Sequence, residues 1–112
     1  MINKKEIIKI NKELGGTLVR ESSLDFACDS MKDNKNVFKR NACLIRAIVV
    51  DHPFDDFNKS TATLSTLREF KRNKIKCKED SYLRGIRKIA RENQTDLKII
   101  ERRLRKWCLK KK

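Results

Sequence analysis

His52-Pro53-Phe54-Asp55-Asp56-Phe57-Asn58-Lys59-Ser60-Thr61 lies between two apolar helical patterns and holds the chain's one histidine and one proline. Proline disfavours helical backbone at the residue before it, so the incoming helix ends at His52. Asn58 is a good N-cap, and the pattern after it reads as helix. The loop thus places an imidazole beside a fresh helix N-terminus. Free N–H groups and the positive dipole end make such a terminus an anion site. Lys59 adds a charge in the first turn, and Ser60 and Thr61 add hydroxyls. Asp56 adds a carboxylate suited to holding a divalent cation on phosphate oxygens. A base, a phosphate cradle and a metal ligand in one short stretch point to transfer chemistry on a nucleotide. The same residue types also serve turns and helix ends without any chemistry.

Working outward, Phe38, Ala42, Ile45 and Val49 recur at helical spacing, and Leu44 and Ile48 widen the stripe. A helix from Val37 to Asp51 apolar over so much of its girth is central and buried. Arg46 interrupts it, at the edge or pointing into the site. Phe54 anchors the loop in the core. The next helix, Lys59 to Arg72, packs through Ala62, Leu64, Leu67 and Phe70.

Upstream, Asn3 to Leu14 forms a first helix with Ile7, Ile8 and Ile10, stopped by Gly15-Gly16 in a left-handed cap. Thr17 to Glu21 is a loop or short extended piece. Ser22-Ser23 caps a short helix, Leu24 to Met31, with Leu24, Ala27, Cys28 and Met31 inward. Lys32 to Asn36 is a polar surface connection.

Downstream, Asn73-Lys74 ends the fourth helix and Ile75-Lys76-Cys77 is a short extended connection. A fifth helix starts near Asp80 or Ser81, with Tyr82, Ile86, Ile89 and Ala90 inward. Gly85 weakens it by up to ~1 kcal/mol relative to alanine. Asn93-Gln94 breaks it. Thr95 or Asp96 caps a last helix that docks through Leu97, Ile100, Leu104 and Trp107. Its opposite face carries Lys98, Arg102, Arg103, Arg105 and Lys106; a basic tail runs from about Cys108 to Lys112, and Lys110-Lys111-Lys112 at its end frays. No strand pair is read. The fold class is all-α: a compact single-domain bundle of about six helices across residues 1–112.

The 112 residues suit one domain with a modest core. A formal charge of +14 favours anionic partners: nucleotide, nucleic acid or an acidic protein. Few aromatics and no recognition-helix pattern rank nucleic acid lower. No apolar run is long enough to span a membrane, and the N-terminus lacks a signal peptide's apolar core. A cytoplasmic protein is expected. Cys28, Cys43, Cys77 and Cys108 form no Cys-x-x-Cys pair, so four reduced thiols and no zinc site are expected.

The stretch His52 to Ala62 resembles the signature of the Fic/Doc family, His-Pro-Phe-x-Asp/Glu-Gly-Asn-Gly/Lys-Arg. The resemblance covers nearly the whole chain. Gly15-Gly16 after helix one, the short Leu24–Met31 helix, the apolar helix entering the motif and the closing helix at Thr95-Asp96-Leu97 fall where Doc-type proteins have them. Fic enzymes use ATP to transfer AMP to protein hydroxyls. The Doc (death-on-curing) branch comprises toxins of toxin–antitoxin pairs. It phosphorylates a threonine of translation elongation factor Tu and blocks translation, and its antitoxin folds a disordered acidic tail onto the toxin. Lys59 agrees with the Doc branch. The resemblance therefore implies ATP and Mg²⁺, with His52 as general base and Asp56 as metal ligand. Asn58, Lys59 and the helix N–H groups would hold phosphate, with Ser60 and Thr61 alongside.

Two positions depart from the signature. Ser60 replaces an arginine that would clamp phosphate through two parallel bonds. Phe57 replaces a glycine, and its ring either closes the anion hole or faces the core. Arg46 and Arg68 are candidates to restore the missing charge. Lys32 to Asn36 is also shorter than the family's target-docking flap. Two readings follow: an active Doc-like phosphotransferase (or AMP transferase), or a degenerate member that binds nucleotide or an antitoxin-like tail with little chemistry.

Overall fold

A computed structural model describes residues 1–110. Helix α1 (Lys4–Leu14) begins where the Asn3 side chain accepts the Glu6 N–H, and ends at Gly15, whose φ of 107° is the left-handed cap expected of glycine. Helix α2 runs Glu21–Lys32, longer than the sequence suggested. Its N-cap is Arg20, with no side-chain bond, and Ser22 and Ser23 fall inside the first turn. Leu24, Ala27 and Met31 are buried as expected, with Cys28 half-buried.

Helix α3 (Val37–Ile45) is capped by Asn36, which accepts the Phe38 and Lys39 N–H groups. It continues as a π-helical turn over Arg46–Val50. Phe38, Ala42, Leu44, Ile45, Ile48 and Val49 are all buried, so this is the central helix. It packs against α2, α6 (Leu97–Trp107) and α4 (Asn58–Arg72). Helix α5 is Glu79–Glu92, closed by Asn93 in the left-handed region. Asp96 caps α6 by accepting the Lys98 N–H.

The inward face of α4 is not the one its leucines mark. Ala62 and Phe70 are buried, Leu67 is half-buried, and Leu64 is 46% exposed. Thr61, Thr63, Ser65, Thr66 and Glu69 are buried in its place. Hydroxyls do this at low cost by bonding back to their own helix. Thr63 Oγ1 donates to the Lys59 carbonyl at 2.8 Å and Thr66 Oγ1 to that of Ala62 at 2.7 Å. Thr66 also meets the hydroxyl of fully buried Tyr82. Burial pushes the Tyr82 phenol well above its ordinary range, so it stays protonated. Glu69 accepts the Ile2 N–H at 2.8 Å and a guanidinium N–H of Arg40 at 2.9 Å.

Three expectations fail at the C-terminal end. Ile75–Cys77 and Cys108–Lys110 pair as an antiparallel ribbon, β1 and β2, with Cys77 opposite Cys108. Those two cysteines are joined as a disulfide, so only Cys28 and Cys43 are free thiols. Lys110, expected to fray, is instead paired with Ile75 in β2, while Lys111 and Lys112 lie outside the described residues. Gly85 also has a positive reason to be glycine. A Cβ there would stand 1.9 Å from Cζ2 of Trp107, whose ring packs across α5 at that point. Among the described residues, no helix is long and apolar enough to cross a membrane.

Candidate functional site

The loop after the π-helical turn is held from three sides. The Pro53 carbonyl accepts the Val19 and Arg20 N–H groups at 2.8 and 2.9 Å. Leu18 and Phe54 form an isolated β-bridge. The Asp55 N–H donates to the Thr17 carbonyl at 3.0 Å, and Asp55 Oδ1 accepts the Thr17 N–H at 2.7 Å. Phe54 is the buried anchor, as expected. From α1, buried Asn11 donates to the Asp56 carbonyl at 2.9 Å and to Thr61 Oγ1 at 3.0 Å. A Cβ at Gly16 would come within 2.3 Å of Asn11 Oδ1, so glycine there leaves room for this strut.

His52 and Phe57 both have positive φ, 51° and 61°. Non-glycine residues rarely adopt that conformation, and such strain concentrates at functional loops. It gives a physical reason for a glycine at the Phe57 position of the signature. The Phe57 ring neither seals the site nor enters the core. It is 38% exposed and lies against the C-terminus of α1, with Cε2 3.4 Å from where a Gly15 Cβ would be.

Asn58 is not the N-cap. That place belongs to Phe57, and the first turn of α4 has no side-chain cap. Asn58 instead folds back: Oδ1 accepts the Phe54 N–H at 3.1 Å, and Nδ2 donates to the Phe54 carbonyl at 2.9 Å. This pair of bonds fixes the amide orientation and turns Nδ2 toward His52 Nδ1, 3.4 Å away. An amide N–H on that side is met when Nδ1 is the acceptor nitrogen of the ring.

A surface cleft of about 720 Å³ brings together His52, Asp56, Lys59 and Ser60, with Asn58 and Phe57 at its wall. Thr61 does not join them, since it is fully buried on Asn11. Neither guanidinium proposed to replace the missing arginine is there. Arg46 lines a separate cleft with Ser22, Ser23 and Cys43, and Arg68 sits near Glu6 at 3.7 Å. Two arginines that the sequence did not single out, Arg87 and Arg91 of α5, line the cleft opposite the motif. Their signal was available: they stand one helical turn apart on the polar face of a strongly amphipathic helix. No residue of 32–36 reaches the cleft lining.

The cleft suits phosphate. The uncapped first turn of α4 presents N–H groups and the positive end of a long helix beside Lys59, Arg87 and Arg91. Asp56 Oδ1 takes the Phe57 N–H at 2.7 Å, and the residue is exposed on the cleft wall. Among the described residues, no three His, Cys, Asp or Glu side chains gather into a cage. One carboxylate beside a phosphate site matches how Mg²⁺ is held, which keeps most of its ligands as water and phosphate oxygens. The sequence matches no family model and no curated protein.

Proposed function

We propose that this chain is a Doc-like phosphotransferase that moves the terminal phosphate of ATP to a protein hydroxyl. The observation that supports it is the cleft itself, where the His52 imidazole, the uncapped N-terminus of α4 and the cations Lys59, Arg87 and Arg91 share one lining. In this reading His52 Nδ1 accepts the proton of the incoming hydroxyl. Its approach to Asn58 is long enough to yield to that hydroxyl. The α4 N–H groups and Lys59 hold the phosphate chain, and Asp56 is the residue that would hold Mg²⁺. Magnesium would supply charge neutralisation between neighbouring phosphates. Arg87 and Arg91 would take over the clamping that Ser60 cannot give, as transfer places charge on the moving group's oxygens.

The Doc resemblance extends this to a toxin acting in the cytoplasm, with elongation factor Tu as the family's target and an acidic-tailed antitoxin as partner. The competing reading is a degenerate member that binds nucleotide, or an antitoxin-like tail, with little catalysis. Isothermal titration with ATP and Mg²⁺ tests the common core. Saturable binding is expected, weakened at least tenfold by Arg91→Ala and by Lys59→Ala, about 1.4 kcal/mol each. No saturable binding by folded protein would overturn the phosphotransferase and every nucleotide-binding form of the degenerate reading.

A further inference from the structure

We infer that a second cleft, between α5 and α6, is a docking groove for a short stretch of single-stranded nucleic acid. It has a volume of about 530 Å³ and a floor that includes Trp107, the chain's one tryptophan. Helix α5 contributes Arg84, Lys88 and Arg91, and α6 contributes Arg103 and Lys106. Lys78 also lines it, and among the described residues no carboxylate does. The nearby acid, Glu92, is already engaged by Arg103 at 2.7 Å and approached by Lys88 at 3.9 Å. Among the described residues Lys78, Arg84, Arg91 and Lys106 have no ion-pair partner. Like charges this close repel, and a polyanion relieves that repulsion.

Three features favour nucleic acid over an acidic protein segment. Arg84, Lys88 and Arg91 follow one another along α5 over about 10 Å of axis, the rise of about three stacked nucleotides. The half-buried Trp107 ring is an aromatic platform set among those cations, and base stacking on such rings tolerates any sequence. Gly85 lets that ring pack closely on α5 by having no Cβ, which fixes its place in the groove. Arg91 also lines the cleft that holds His52, so the two clefts share a wall. The proposal does not depend on phosphotransfer, because it concerns binding without ATP.

The test uses the full chain, eight-nucleotide dT and rU oligomers, and no ATP or Mg²⁺. Trp107 emission reports occupancy, and labelled oligomers give affinity across a salt series. The expectation is saturable quenching by both oligomers and a linear loss of affinity with the logarithm of salt. The double variant Arg84→Ala/Lys106→Ala should reduce that slope by about 1.4, roughly 0.7 for each phosphate no longer neutralised. Lys5→Ala/Lys9→Ala, of equal net charge and on the distant α1, should leave it unchanged. Three results would overturn the inference: an equal effect of the α1 pair, tighter binding of a poly-glutamate peptide or a duplex than of the oligomers, or binding without any change in Trp107 emission.

Discussion

Replacing Gly85 with alanine sets two physical effects against each other. Helix propensity alone says that alanine stabilises α5 by about 1 kcal/mol. The packing says the reverse. The new Cβ would stand 1.9 Å from Trp107 Cζ2 and 2.2 Å from Cη2, so the ring must leave its seat. A tryptophan covers about 200 Å². Re-exposing half of that costs about 2.5 kcal/mol at roughly 25 cal/mol per Å². The edge-to-face packing of Trp107 on Tyr82, centroids 5.4 Å apart, is broken as well, at about 0.5 kcal/mol or more. The net expectation is destabilisation by about 2 kcal/mol, near 8 °C in melting temperature for a chain this size. Urea unfolding followed by circular dichroism measures it, and native Trp107 emission should shift to the red. In a Trp107→Ala background the clash is gone, and Gly85→Ala should become stabilising by about 1 kcal/mol. Stabilisation by Gly85→Ala in the wild-type background would refute the packing argument.

Three further outcomes are expected. The Cys77–Cys108 link closes a loop spanning 31 positions, so reducing it should lower stability by about 3–4 kcal/mol on chain-entropy grounds; an unchanged urea midpoint in reductant would contradict this. Arg40→Met leaves the fully buried Glu69 carboxylate with only the Ile2 N–H, at a cost of about 3–5 kcal/mol, whereas Arg40→Met/Glu69→Met should regain most of that loss in the same unfolding assay. The hydrogen bond from Arg72 holds the Glu6 carboxyl below its ordinary range. A depressed acid stabilises the fold above its unfolded pKa and loses that contribution as pH falls through the folded value. The wild-type urea midpoint should thus fall more between pH 5 and pH 3 than that of Glu6→Gln.

Much of the fold was legible because local signals agreed with one another. Asp96 caps α6 through its own side chain, and Gly15 and Asn93 end α1 and α5 in the left-handed region; the caps at Asn3 and Asn36 were not read as such. The apolar stripe of α3 left one place for that helix, the centre. Legibility failed where residue chemistry was overridden by context. Thr61 and Thr66 look like surface residues, yet hydroxyls that bond their own helix or a buried neighbour can line a core, and Leu64 was left outside. Strands of three residues carry too little period-2 pattern to be seen, so the β1–β2 ribbon and its disulfide were missed. In the candidate site, His52, Asp56, Lys59 and Ser60 line one cleft, as a contiguous motif allows. Arg87 and Arg91 were missed because they enter from a helix some thirty residues downstream, and proximity across such a gap is set by packing. Asn58 was identified as important but given the wrong task, since only the structure reveals that its amide folds back onto Phe54.

Chemistry at His52 is the central claim. The decisive measurement incubates the protein and Mg²⁺ with a lysate and ATP labelled on either the alpha or the gamma phosphate, alongside His52→Ala. Gamma label on protein is predicted, absent with His52→Ala and reduced at least tenfold by Arg91→Ala. Alpha label would mean AMP transfer and contradict the role given to Lys59. Neither label, with folded protein that still binds ATP, would contradict catalysis and leave a nucleotide-binding protein.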